Sequence, residues 1–141
     1  MTEAVVEYID ILIIGAGPVG MTLNLALAAG GRKSLLLDRR PQHTQQTDPR
    51  ALALSHGARQ LLEQIKAWPT RAATPIETIH VSQKDGFGRT VIDRADYDLP
   101  ALGYVVRYRD LAAELAAQLP ADALLDAVDI VDISHGDDHV S

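Results

Sequence analysis

ILIIGAGPVGMTLNLALAA, residues Ile11 to Ala29, runs for 19 residues without a charge, long enough to cross a bilayer as a helix. Its backbone breakers argue otherwise. YIDILII (Tyr8–Ile14) is a short Ile-rich run, the pattern of a strand buried on both faces of a parallel sheet. GAGPVG (Gly15–Gly20) then places three Gly and a Pro within six residues, a density of breakers that a spanning helix tolerates poorly. MTLNLALAAGG (Met21–Gly31) returns to helix-forming residues, and Gly30–Gly31 supplies a C-terminal stop. As a span, the stretch would also hold the Asn24 amide near the bilayer centre. Strand, glycine turn and helix is the reading that survives.

SLLLD (Ser34–Asp38) reads as a second buried strand ending in a carboxylate. The glycines at 15, 17 and 20 have G-x-G-x-x-G spacing, and Asp38 follows 18 residues after the last. Each part has a physical task. Gly15 permits a tight turn off the strand, Gly17 lets a pyrophosphate approach the backbone, and Gly20 lets the helix pack closely on the sheet. Free N–H groups and the dipole at the helix start favour an anion there. Asp38 is placed to accept hydrogen bonds from a ribose diol, which argues against a 2′-phosphate despite Arg39 and Arg40 beside it. A glycine turn serving only close packing is the alternative, but the spacing favours a dinucleotide.

Composition limits the rest. The 141 residues suffice for one domain with a real core. With 23% charged and 47% hydrophobic residues the chain is ordinary globular material. The net charge of -6 argues against non-specific nucleic-acid binding. That excess is local: residues 121–141 hold six Asp and no Lys or Arg, while the first 120 balance at 13 of each sign. Without cysteine there are no disulfides, thiolate metal sites or thiol nucleophiles. The five histidines, at 43, 56, 80, 135 and 139, lack metal-ligand spacing, and Ser55 and Ser82 lack a nucleophile's partners. The acidic N-terminus MTEAVVEYID differs from a secretory signal, so a cytoplasmic location is expected.

Downstream, DPRALALSHGARQLLEQIKAWP (Asp48–Pro69) opens as a loop and becomes a helix capped near Ser55, with Leu61, Leu62, Ile65 and Trp68 as its apolar face and Pro69 as its end. IETIHVSQ (Ile76–Gln83) and RTVID (Arg89–Asp93) flank KDGFG, whose Asp85-Gly86 signals a hairpin. YVVR is a short strand, and Asp110 is expected to cap a helix running to Leu119, which Pro120 stops. ALLDAVDIVDI (Ala123–Ile133) reads as a strand, and HGDDHVS as a turn into another.

The glycine turn, DPRALALSHGARQLLEQIKAW, IETIHVSQKDGFGRT and ALGYVVRYRDL (Ala101–Leu111) together resemble the flavin-dependent aromatic-ring hydroxylases. Within them the chain is most similar to the ubiquinone-biosynthesis branch, the 2-polyprenyl-6-methoxyphenol hydroxylase type, over nearly all of residues 8–141. The resemblance implies an α/β fold, a Rossmann-like FAD-binding βαβ unit with a partial mixed sheet and a β-hairpin, here the N-terminal part of the FAD-binding domain. Residues 76–107 would include the start of the substrate-side sheet. It also implies that Gly15, Gly17, Pro18, Val19 and Gly20 line the FAD diphosphate, with Asp38 and Arg39 at the adenine-side ribose. The family more often has Glu where Asp38 stands. Arg50 matches an arginine that reaches FAD in such enzymes, and Arg107, with Arg109 close behind, stands where another polar residue touches it. No catalytic residue and no metal ligand can be assigned.

By the same resemblance, NAD(P)H reduces the flavin, and O2 then supplies a hydroxyl to a phenolic, prenylated ring. Family members run to roughly three times this length, so the chain as given is expected to have little or no hydroxylase activity. Contact with the inner-membrane surface is implied only by prenylated substrates. Two other readings stand beside this one: a flavin oxidoreductase without oxygenation, and a non-catalytic nucleotide-binding module that associates with a second copy through an open sheet edge.

Overall fold

A glycine ends the first strand. In the computed structural model, which describes residues 9–41, 48–83, 86–137 and 140, β1 (Leu12–Ile14) leads into Gly15. Its φ of +104° lies where side chains are strained. α1 (Pro18–Ala29) follows. Its start lies three residues before the expected Met21, because extended Gly17 serves as N-cap and Pro18 enters the first turn, where its missing N–H costs nothing. The expected stop holds: Gly31 has φ +74°, its amide bonds Ala28 O at 3.0 Å, and the Arg32 amide bonds Leu27 O at 2.9 Å, a Schellman closure.

β2 (Leu35–Leu37) and β8 (Leu124–Leu125) complete a parallel sheet of order β1-β2-β8. Leu12 pairs with Leu35, and Leu36 with Leu124. Ile13, Met21, Leu25 and Leu36 are buried in this unit. β1 departs from the two-sided burial its composition suggested: Ile13 is covered, but Leu12 and Ile14 are 51% and 56% exposed. Among the described residues β1 has a strand neighbour on one side only, and alternation puts its outer two residues on the other face. Tyr8, where the strand was expected to begin, lies outside the described residues. The expected strand over 123–133 shrinks to two residues. Ala127, at φ +55°, turns the chain out of extended conformation, and the Val128 amide bonds Asp38 O at 3.2 Å. An isolated antiparallel bridge joins His135 to Val140.

The chain divides into two compact units, one holding the elements above, the other running from β3 to α3. The second contains an antiparallel sheet of order β3-β7-β4, from β3 (Ala51–Ser55), β4 (Thr74–Ile76) and β7 (Gly103–Arg107). β3 stands where the sequence predicts loop; its pairing with β7 from Ala51↔Arg107 to Ser55↔Gly103 supplies what its small residues do not announce. Gly103 permits that approach, since a Cβ there would lie 2.7 Å from Leu54 O. α2 (His56–Gln64) is capped by Ser55 as expected, its Oγ accepting from the Ala58 amide at 3.1 Å. The helix ends before Pro69, because Lys66 adopts φ +61° and the Ala67 amide closes on Leu62 O at 2.8 Å. Of the expected apolar face, Leu62 and Ile65 are buried, Trp68 is half-buried and Leu61 is exposed.

β5 (Thr78–Ser82) and β6 (Arg89–Asp93) form the expected antiparallel hairpin, Thr78 opposite Asp93. Ile76, expected to open that strand, belongs instead to β4, paired with Gly103 of β7. Lys84 and Asp85 of its turn lie outside the described residues. α3 (Tyr108–Gln118) begins two residues ahead of Asp110, which therefore sits in the first turn rather than at the cap, still a favourable place for a carboxylate. Leu111 and Leu115 are buried on it, and Leu119 lies just past its end. Among the described residues no helix is long and apolar enough to cross a membrane.

Leu36 has no exposed surface in the centre of the parallel sheet. Leu36→Ala is expected to cost about 2–5 kcal/mol through lost burial and an unfilled cavity. Urea unfolding should show the midpoint falling while the slope stays constant.

Candidate functional site

The site is built on the end of β1. A side chain at Gly20 would place its Cβ 2.0 Å from Gly15 O and 3.3 Å from Leu36 Cδ2. Helix, turn and strand therefore meet backbone to backbone, as the spacing predicted. The turn is tied to β2 as well: the Gly15 amide donates to Leu37 O at 2.7 Å. Gly17 caps α1 in extended conformation (φ −72°, ψ 178°) with no side chain on the first-turn amides. The first intrahelical bond runs from the Met21 amide to Gly17 O at 3.0 Å. Pro18 offers no N–H, and Val19 is 84% exposed. Among the described residues no side chain makes a capping hydrogen bond at the positive end of this 12-residue helix, an arrangement suited to a diphosphate.

Asp38 stands where β2 ends, and it is buried. Its Oδ2 accepts the Ala16 amide at 2.9 Å, inside the glycine turn. Its Oδ1 accepts the Arg40 amide at 2.8 Å and Arg40 Nε at 3.4 Å. Burial pushes this carboxyl up, but the Arg40 and Ala16 amides and the Arg40 guanidinium outweigh it, holding the group below the ordinary Asp range. Ala16 is 1% exposed, so its amide without this acceptor would cost about 1–3 kcal/mol. Sequence spacing located Asp38 but missed Ala16 and Arg40, whose parts depend on side-chain direction at the strand end. Arg39, next in the chain, is exposed. Nearby in the same unit Asn24 is 2% exposed, its Nδ2 donating to Ser34 O at 3.0 Å and Ser34 Oγ at 2.8 Å.

The other candidates lie in the second unit, gathered at one end of β3 and β7. Ala51 pairs with Arg107, and the Tyr108 amide donates to Arg50 O at 2.8 Å. Asp48 grips Arg50 side-on: Nε lies 2.9 and 3.0 Å from Oδ1 and Oδ2, and Nη2 2.6 Å from Oδ2. The guanidinium carbon sits 4.7 Å from the Tyr108 ring centroid, within cation–π range. Arg107 is exposed, and Arg109 Nε is 3.6 Å from Asp110 Oδ1. Arg59 went unnoticed in the sequence; its guanidinium faces Trp68 and Tyr104, bonds the Tyr104 hydroxyl and pairs with Glu63 at 2.7 Å. Only the Glu63 contact, four residues along α2, was readable from spacing.

The lowered pKa of Asp38 gives its bonds a pH signature. A depressed folded-state value stabilises the protein above the unfolded carboxyl's pKa, and that stability is lost as pH falls through the folded value. The stability gap between wild type and Asp38→Asn should stay constant near neutrality and shrink in the acid range below the ordinary carboxyl value. Chemical unfolding of both proteins from pH 7 downward checks this; a gap that widens in acid contradicts it.

Comparison with known proteins accords with this geometry. The sequence matches the profile described as FAD binding domain over residues 8–123. It is 30% identical to the ubiquinone hydroxylase UbiM of Neisseria meningitidis, over 82% of this chain and 28% of that protein. It is 27% identical to the FAD-dependent monooxygenase esdpE of Penicillium shearii, over 96% of this chain and 29% of that one. The chain thus spans under a third of the length of these curated relatives. Among solved structures, p-nitrophenol 4-monooxygenase PnpA from Pseudomonas putida aligns with a TM-score of 0.71 at 19% identity, over 96% of this chain and 36% of that one. The substrate-free rebeccamycin biosynthetic enzyme RebC aligns with a TM-score of 0.67 at 23% identity, covering 94% and 28%. At such identities these two speak for the fold alone: mixed α/β, with parallel and antiparallel sheets, of the flavin hydroxylase kind. With the profile covering most of its length, the chain belongs to the FAD binding domain family.

Proposed function

We propose that this chain is the N-terminal, FAD-binding part of an NAD(P)H- and O2-dependent flavin monooxygenase. Its substrate is a phenolic, prenylated ring, and the setting is ubiquinone biosynthesis. The observation that carries the reading is the start of α1 in the turn formed by Gly15, Gly17, Pro18, Val19 and Gly20, where Gly17 is the N-cap and no side chain makes a capping hydrogen bond. The likeness to UbiM supports the ubiquinone branch, and the likeness to esdpE supports oxygenation over a flavin oxidoreductase. In this reading the bound flavin supplies the redox and oxygen chemistry, and the protein holds the diphosphate, fixes the adenosine end and excludes water. Asp38 and Arg39 flank the ribose. Arg50, Arg107 and Arg109 are assigned to FAD by their match to the family's pattern, where a guanidinium fork suits phosphate oxygens.

Because the chain spans 28% of UbiM's length, it is assigned little or no hydroxylase activity by itself. The exposed β1 edge, with Leu12 and Ile14 open, supports association with a second copy. A cytoplasmic site of action, at the inner-membrane surface when the substrate is prenylated, completes the proposal.

The test is direct. The purified chain should quench flavin fluorescence on titration with FAD. Gly17→Leu, which sets a side chain against the diphosphate, should weaken binding by about tenfold or more without moving the unfolding midpoint. Oxygen uptake coupled to a hydroxylated phenol should be absent from this chain alone. No FAD uptake, or full binding by Gly17→Leu, overturns the reading.

A further inference from the structure

We infer that Asp48 is a positioning residue for the cofactor: it holds the Arg50 guanidinium side-on and presents the outer edge of that fork, already oriented, to an anionic part of FAD. This rests on the reading that Arg50 contacts FAD.

The geometry separates the pair from an ordinary surface ion pair. Arg50 Nε lies 2.9 and 3.0 Å from the two Asp48 oxygens, and Nη2 lies 2.6 Å from Oδ2. The carboxylate thus occupies one edge of the guanidinium, and the donors of Nη1 stand on the other. The Arg50 amide also donates to Asp48 Oδ1 at 3.0 Å, closing a turn over Pro49, whose ring fixes the backbone between the two residues. Arg50 O accepts from the Tyr108 amide at 2.8 Å, which ties the root of the side chain to the start of α3. The buried Tyr108 ring faces the guanidinium carbon at 4.7 Å. Backbone, one edge and one face are all restrained, yet the Arg50 side chain remains 66% exposed. An exposed ion pair adds little to folding stability, so restraint without burial serves a ligand better than it serves the fold. An arginine held in advance has less rotamer freedom to lose when an anion arrives.

Charge and orientation make opposite demands here. A carboxylate beside an anion-binding fork repels the anion, so by charge alone its removal tightens binding. If the carboxylate orients the fork, its removal weakens binding. The sign of the effect therefore distinguishes the two. Asp48→Asn isolates the grip on the guanidinium: Oδ1 can still accept the Arg50 amide, while the new NH2 faces Nη2, donor against donor.

Flavin-fluorescence titrations with FAD on wild type, Asp48→Asn, Arg50→Ala and the double variant test this. Asp48→Asn is expected to weaken FAD binding by about three- to tenfold with an unchanged unfolding midpoint. In the Arg50→Ala background the same substitution should cost nothing, because there is no fork left to orient. Unchanged or tighter binding by Asp48→Asn, with Arg50→Ala weakened, overturns the inference alone, and so does an equal loss from Asp48→Asn in both backgrounds. Wild-type affinity in Arg50→Ala removes the underlying reading of Arg50 and the inference with it. Should Asp48→Asn not fold, Asp48→Ser, whose hydroxyl can accept the Arg50 amide, is read against the same outcomes.

Discussion

A side chain is missing at Gly20, and the consequences reach through the whole parallel unit. With a Cβ position 2.0 Å from Gly15 O, any other residue would force α1 away from the turn. Moving the helix out would also uncover Met21 and Leu25, which are buried on it. It would break the register in which the helix axis meets the end of β1, the feature that aims its first-turn amides into solvent. Close packing and anion binding are thus one requirement. The helix held there by that backbone contact starts at Gly17, which brings no side chain to cap it.

An uncapped helix start is a cost to the protein when nothing is bound, since its first amides have no intrahelical acceptor. The structure removes part of that cost next to the helix start. Gly15 and Ala16, just before them, are satisfied by Leu37 O and Asp38 Oδ2, and Pro18 has no amide to satisfy. Of the turn, Gly15 and Ala16 are bonded to β2, and the first helical amide with an acceptor is that of Met21. Asp38 follows the same pattern: burial raises its pKa, and three N–H donors aimed at it outweigh that and hold it below the ordinary range. Its charge then strengthens the bond that holds the turn.

Legibility in the sequence followed how local the determinant was. The strand–turn–helix–strand order and the Ser55 cap are set by neighbours a few residues apart, and each was readable. The same holds for the Gly30–Gly31 stop and the β5–β6 pairing. Elements fixed by distant partners were not. β3 is ALALS, with no strand signature beyond its length, and exists because β7 runs beside it. The strand expected over 123–133 alternates well enough, but Ala127 adopts a conformation its side chain does not advertise. Lys66 ends α2 in the same left-handed region, before the Pro69 that looked like the terminator. In the site, the glycines and Asp38 were visible by spacing. The Ala16 and Arg40 bonds, like the Tyr104 contact of Arg59, were not, because they follow from where side chains point once the sheets have formed.

Electrostatics distinguishes the arginines of the second unit. Asp48 takes Nε and Nη2 of Arg50 side-on, so the pair is formally neutral while the outer edge of the guanidinium, with Nη1, keeps its donors. Stacking near Tyr108 restrains the plane. Such an arginine offers direction more than charge: a fork held in place, with its field largely cancelled by its partner. Arg109 is tempered in the same way, more loosely, by Asp110. Arg107 ends β7 exposed, and among the described residues it has no acidic partner. Its charge is screened by solvent alone. A paired, oriented guanidinium and an unpaired one thus stand at one end of the same sheet. Substituting Arg50 removes a held geometry and leaves Asp48 uncompensated, while substituting Arg107 removes a charge that solvent already screens.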